Sequence, residues 1–162
     1  MNRKEYEMAY RALRRWNKAG YKGYSSTVEG FLAAKSCLLK KAFVPDGDNL
    51  VIDPALVQVS YGDLPLPANI TAVKSAANEL HISWDAVNKK YEEAYDQIMM
   101  LVYDVENGEA NYNTTGQFKY NGSDTLYVPP AIPERTYHIY AAFVAADRSR
   151  QSASVYLGTI SN

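Results

Sequence analysis

Cysteine is all but missing from this sequence. Cys37 is the single one, so no disulfide can close within the chain, and its place in the apolar run from Phe31 to Leu39 reads as a buried, inert thiol. Histidine is equally scarce, with only His81 and His138. Neither has a Cys or a paired carboxylate at ligand spacing, and period-two patterning sends both outward on different strands, so no metal is expected. No run of apolar residues follows Met1-Asn2-Arg3-Lys4-Glu5, which leaves neither a signal h-region nor a membrane span. A chain made and kept in the cytoplasm is the expectation. In that setting the sequons at Asn69, Asn113 and Asn121 read as turn chemistry.

Catalytic signatures are missing as well. There is no Gly-rich phosphate loop, no Gly-x-Ser-x-Gly elbow and no Cys with an adjacent base. The pair Glu92-Glu93 and the cluster Asp46-Asp48-Asp53 lack the spacing of a carboxylate dyad or a calcium loop and read as solvated turns. The expectation is therefore no catalytic residue, no cofactor and no enzyme.

What is present is a globular composition, 47% hydrophobic and 22% charged over 162 residues. Fourteen of its twenty aromatic residues are Tyr, whose ring packs while its tip stays polar. The net charge of −1 hides a division. Residues 1–45 hold ten Lys and Arg against three Asp and Glu, whereas residues 46–162 hold seven against fifteen. A head of +7 and a body of −8 imply either mutual attraction or an acidic partner for the head.

In residues 4–18, a turn of about 100° per residue places Lys4, Arg11, Arg15 and Lys18 on one stripe. Tyr6, Ala9, Tyr10, Leu13 and Trp16 fall on the other, the pattern of an amphipathic helix. Gly20-Tyr21-Lys22-Gly23-Tyr24 ends it. Ser26 and Glu29 have capping-box spacing for a second helix, which Lys40 and Lys41 close and Pro45-Asp46-Gly47-Asp48 stops. Residues 1–45 are thus expected to form a basic helical hairpin, and residues 46–66 a linker with a leading strand.

From Leu50 the periodicity changes to two, and residues 67–162 are expected to form a sandwich. Strands are expected near 56–61, 68–74, 79–85, 96–104, 109–113, 117–120, 124–128, 136–146 and 151–160. In Glu79-Leu80-His81-Ile82-Ser83-Trp84-Asp85, Leu80, Ile82 and Trp84 share one face. This run resembles the second strand of fibronectin type III domains, whose tryptophan lies between the sheets. The run from Val128-Pro129-Pro130 through Glu134 to Ala141 resembles that family's approach to its sixth strand, which assigns Tyr137 to a tyrosine corner. The resemblance implies a mostly β fold, an immunoglobulin-like sandwich with Trp84 and Tyr137 as core markers, preceded by the helical hairpin. Three further segments, Val57–Pro65, Asp96–Asp104 and Tyr156-Leu157-Gly158, are similar to an uncharacterised Bacteroidota family that joins a helical front to such a sandwich. Neither resemblance implies an activity.

Three roles follow as expectations. The first is a structural or interaction module that meets other protein subunits as an oligomer or assembly component, in its sharpest form part of a bacteriophage virion. Its basic and aromatic N-terminal face would be Lys4, Arg11, Arg14, Arg15, Trp16, Lys18, Tyr21 and Lys22. The second is nucleic-acid binding by that same face, with phosphates on the cations and bases stacked on Trp16, Tyr21 or Tyr24. The third is a surface or carbohydrate-binding module using Tyr103, Tyr112, Tyr120 and Tyr140 as exposed rings. No membrane partner is expected.

Overall fold

A computed structural model describes residues 41–47, 49–76, 78–104, 107, 109–128 and 135–161. The expected helical hairpin falls outside these residues except for its last few positions, where Lys41 is helical as expected and the structure differs from Phe43 onward. Strands β1 (Phe43–Asp46) and β2 (Asn49–Ile52) pair antiparallel, Phe43 with Ile52 and Val44 with Val51. Phe43–Asp46 is the first arm of a hairpin, and Pro45-Asp46-Gly47, part of the run Pro45-Asp46-Gly47-Asp48 read above as a helix stop, leads into its turn. Gly47 takes φ +58°, a left-handed conformation that costs a glycine little. A 3-10 turn follows at Pro54–Leu56, with the Asp53 side chain accepting from Ala55 N at 2.9 Å.

The remaining strands are β3 (Thr71–Ala76), β4 (Glu79–Ser83), β5 (Gln97–Asp104), β6 (Glu109–Asn113), β7 (Ser123–Tyr127), β8 (Thr136–Val144) and β9 (Val155–Ser161). They form two antiparallel sheets, a three-stranded one in the order β3-β4-β7 and a four-stranded one in the order β6-β5-β8-β9. The protein is mostly β, and the sheets pack face to face. Leu80, Ile82, Trp84, Leu126 and Val128 of one layer meet Ile98, Met100, Val102, Tyr137, Ile139, Ala141 and Phe143 of the other. Trp84 donates its indole N–H to Lys119 O at 2.8 Å and meets the Phe143 ring edge-on at 5.3 Å. The Tyr137 ring is buried beside them. Its hydroxyl makes no hydrogen bond to the backbone of the described residues, and positions 129–134, where a tyrosine corner would find its acceptor, lie outside them.

Two expected strands take other forms. Residues 117–120 contribute a single bridge, Phe118 to Gln97, and then a 3-10 turn at Lys119–Asn121. Leu56 closes the 3-10 turn, and residues 57–61 join no sheet as a strand but are held by the segment before β9. Val59 N donates to Ser154 Oγ at 2.9 Å, Ser154 N to Ser60 O at 2.9 Å, and Ser60 Oγ to Ser152 O at 2.7 Å. Gly62 continues this strap, and a Cβ there would lie 1.9 Å from Gln151 O, so only glycine passes.

The strap closes a second core on the far side of the four-stranded sheet. Ala42, Val57 and Val59 cluster with Met99, Leu101, Tyr103, Tyr140, Ala142 and Val144. Tyr140 donates its hydroxyl to Pro54 O at 2.7 Å, which fastens the strap over the sheet. The same layer holds His138, expected above to be a surface residue. It is half-buried, with Nδ1 2.9 Å from Tyr156 OH. Burial pushes its pKa below the usual 6.5, with the Asp104 carboxylate opposing the shift. Tyr103 and Tyr140, expected as exposed rings for a surface-binding role, are buried at 3% and 2% exposure, since both point into this second core.

Candidate functional site

Three chain segments that are distant in sequence converge at one end of the sandwich. They are Leu64–Pro65 of the strap, the 3-10 turn Glu92–Tyr95 before β5, and the turn between β8 and β9. Together they enclose an open cavity of about 620 Å3, lined by Leu64, Pro65, Tyr91, Glu92, Glu93, Asp96, Ala145, Ala146, Asp147, Ser149 and Arg150.

Each segment is fixed from behind. Asp96 lies at the end of the 3-10 turn and accepts a hydrogen bond from the Lys119 ammonium at 2.8 Å on Oδ2. That ammonium also donates to Pro65 O at 2.8 Å and lies 5.4 Å from the Phe143 ring centroid. Both side chains are almost fully buried, at 2% and 6% exposure. A buried ion pair of this kind adds little net stability, but it holds its partners in one geometry, and losing one member strands the other charge. One lysine thus ties the strap, the 3-10 turn and the approach to β7 together. The β8–β9 turn is held by Arg148, whose φ of +62° is unusual for a residue with a side chain. Its guanidinium donates to Thr114 O at 2.7 Å and to Gln97 Oε1.

The rim is acidic. Among the lining residues the single cation, Arg150, turns its Nε onto Asp63 Oδ1 at 3.1 Å, and that contact holds the exposed Asp63 carboxyl below its usual range. Beside the cavity, Tyr95, Phe118 and Tyr120 pack in a partly exposed aromatic group, with ring centroids 5.4 to 6.2 Å apart. Lys89 caps the Tyr120 ring at 4.2 Å. Tyr91 and Tyr95 are 51% and 43% exposed.

A second polar group lies at the opposite end of β5. Asp104, fully buried, accepts from Asn107 N and Nδ2 at 3.1 and 2.8 Å, and Arg135 bridges it to Glu109. These charges are turned on one another and read as a structural lock on the β5–β6 and β8 ends.

Of the residues singled out from sequence, Trp84 and Tyr137 lie in the core between the sheets. Lys4, Arg11, Arg14, Arg15, Trp16, Lys18, Tyr21 and Lys22 lie outside the described residues. Among the described residues, no group of three or more His, Cys, Asp and Glu could hold a metal ion. No helix among them is long and apolar enough to cross a membrane. Sequence reasoning noticed Glu92-Glu93 only as a solvated turn. The signal it lacked is spatial, because Asp96, Lys119 and the β8–β9 turn meet that pair only in the fold. No curated protein matches the chain. A family model described as "Family of unknown function (DUF6266)" matches residues 8–158, and the chain belongs to that family.

Proposed function

We propose that this chain is a non-catalytic interaction module, an immunoglobulin-like, fibronectin type III-like sandwich that docks into a larger protein assembly, such as a virion, through its loop end. The sheet order β3-β4-β7 against β6-β5-β8-β9, with Trp84 directly after β4 between the layers, supports the finer fold assignment. The observation that carries the functional reading is the cavity end. Three segments, each pinned by buried or clamped side chains, hold exposed Tyr91 and the two rim glutamates around a preformed cavity, with exposed Tyr95 on the same 3-10 turn. A rigid, partly aromatic surface loses little conformational entropy on binding, and aromatic residues are enriched where protein surfaces meet.

The test pairs a functional and a chemical readout. Oxidative footprinting of the native assembly should show Tyr91 and Tyr95 protected while Tyr127, exposed on the three-stranded sheet, still reacts. The intact chain and its Glu92→Gln/Glu93→Gln variant should show no difference across a panel of hydrolysable esters, phosphates and glycosides. Turnover that depends on those carboxylates would overturn the reading and make the cavity an active site.

A further inference from the structure

The loop-end cavity has a carboxylate at its floor. Asp96 is 5% exposed and lines the cavity. Its Oδ2 is engaged by Lys119. Glu92 and Glu93 also line the cavity, and Asp147 is the fourth carboxylate of the lining. Arg150 offers little compensation, since its guanidinium is turned onto Asp63. Tyr91 contributes a wall whose ring already faces a cation, the Lys90 ammonium 4.9 Å from its centroid.

We propose that this cavity receives a lysine or arginine side chain from the basic N-terminal segment of a second copy, so that the chain assembles head to tail. The proposal rests on the docking reading above and names its partner. Residues 1–45 carry +7 and include Lys4, Arg11, Arg14, Arg15, Lys18 and Lys22, while residues 46–162 carry −8. Opposite charges segregated on one chain are what a heterologous contact between copies uses, since the giving and the receiving surface differ. Such a contact closes into a ring where the rotation allows and otherwise extends as a filament.

The experiment is the mass of the full chain in solution by sedimentation velocity, at about 0.05 M and about 0.5 M salt. Attraction between exposed charges is screened over that range, so assembly is expected at low salt, with an apparent Kd weakened about tenfold or more at high salt. Glu92→Gln/Glu93→Gln alters only exposed rim residues and leaves the Asp96–Lys119 pair in place. Arg11→Gln/Arg14→Gln/Arg15→Gln alters the donor side. Each variant alone is expected to be a monomer. Their mixture is expected to stop at a dimer, because it offers one intact cavity and one intact basic segment per pair. A wild-type monomer at low salt, a rim variant that assembles like wild type, or a mixture that stays monomeric or grows past the dimer would each overturn the proposal. None of these outcomes touches docking of the same surface onto a different protein, which carboxylate-dependent turnover would remove.

Discussion

The two sheets of this protein are built from different kinds of strand. In the three-stranded sheet, β4 alternates, with Leu80 and Ile82 at 0% exposure while His81 and Ser83 stand on the outer face. That face is open, with Val73 and Tyr127 more than half exposed. In the four-stranded sheet, β5 is buried without interruption from Ile98 to Asp104, and β8 from Ile139 to Val144. Adjacent residues there serve two cores at once, Met100 inside the sandwich and Met99 beneath the strap. A central strand covered on both sides cannot show period-two polarity, because both of its faces are dry. The difference teaches that the segment before the sandwich is part of the fold, since it converts one sheet's solvent face into core.

This contrast can be broken most severely where the sheets are joined. Lys119→Met leaves the buried Asp96 carboxylate without its cation and should cost about 3–5 kcal/mol, read as a lower urea midpoint. If the loss were under about 1 kcal/mol, the lysine would not be the tie described here.

A smaller effect should sharpen the view of the second core through pH. Burial keeps His138 neutral in the fold, with its pKa below 6.5, whereas the unfolded chain takes up a proton near 6.5. The contribution of the neutral ring is complete above that value and declines as pH falls from 6.5 toward the folded pKa. Unfolding free energy of wild type should therefore fall more steeply than that of His138→Gln between about pH 7 and about pH 5. Parallel curves would place His138 in solvent.

The smallest effect belongs to the open face. Tyr127→Ser, at 58% exposure, should change stability by no more than about 0.5 kcal/mol in chemical denaturation. A larger loss would mean that the three-stranded sheet is also covered.

The same contrast explains what could be read in the sequence. The strands around Ile82, Met100, Tyr112 and Ile139 were legible because β-rich runs bounded by turn residues mark them. Which sheets have one face and which have two was not, because Ala141 and Phe143 do face the sandwich with period two, but Ala142 and Val144 between and beyond them are equally apolar and face a second core. His138, Tyr103 and Tyr140 do point away from the sandwich, as period two implies. The error was to take that direction for solvent, since the strap covering them contacts the sheet through side chains such as Val57, Val59 and Tyr140 rather than through a strand ladder. The β1–β2 hairpin was hidden by Pro45 and Gly47, which serve a helix stop and a hairpin turn equally well. The cavity was illegible for a different reason. Lys119 stands in a polar stretch, Gln117 to Ser123, where no pattern separates a buried lysine from a solvated one.

The second core is the claim on which this account turns, and β5 supplies its test within two adjacent residues. Met99 and Met100 are both fully buried, on opposite faces of one strand. Guanidinium unfolding of Met99→Ala and Met100→Ala should show losses of comparable size, each about 2–5 kcal/mol. A full loss for Met100→Ala with less than about 0.5 kcal/mol for Met99→Ala would contradict the account.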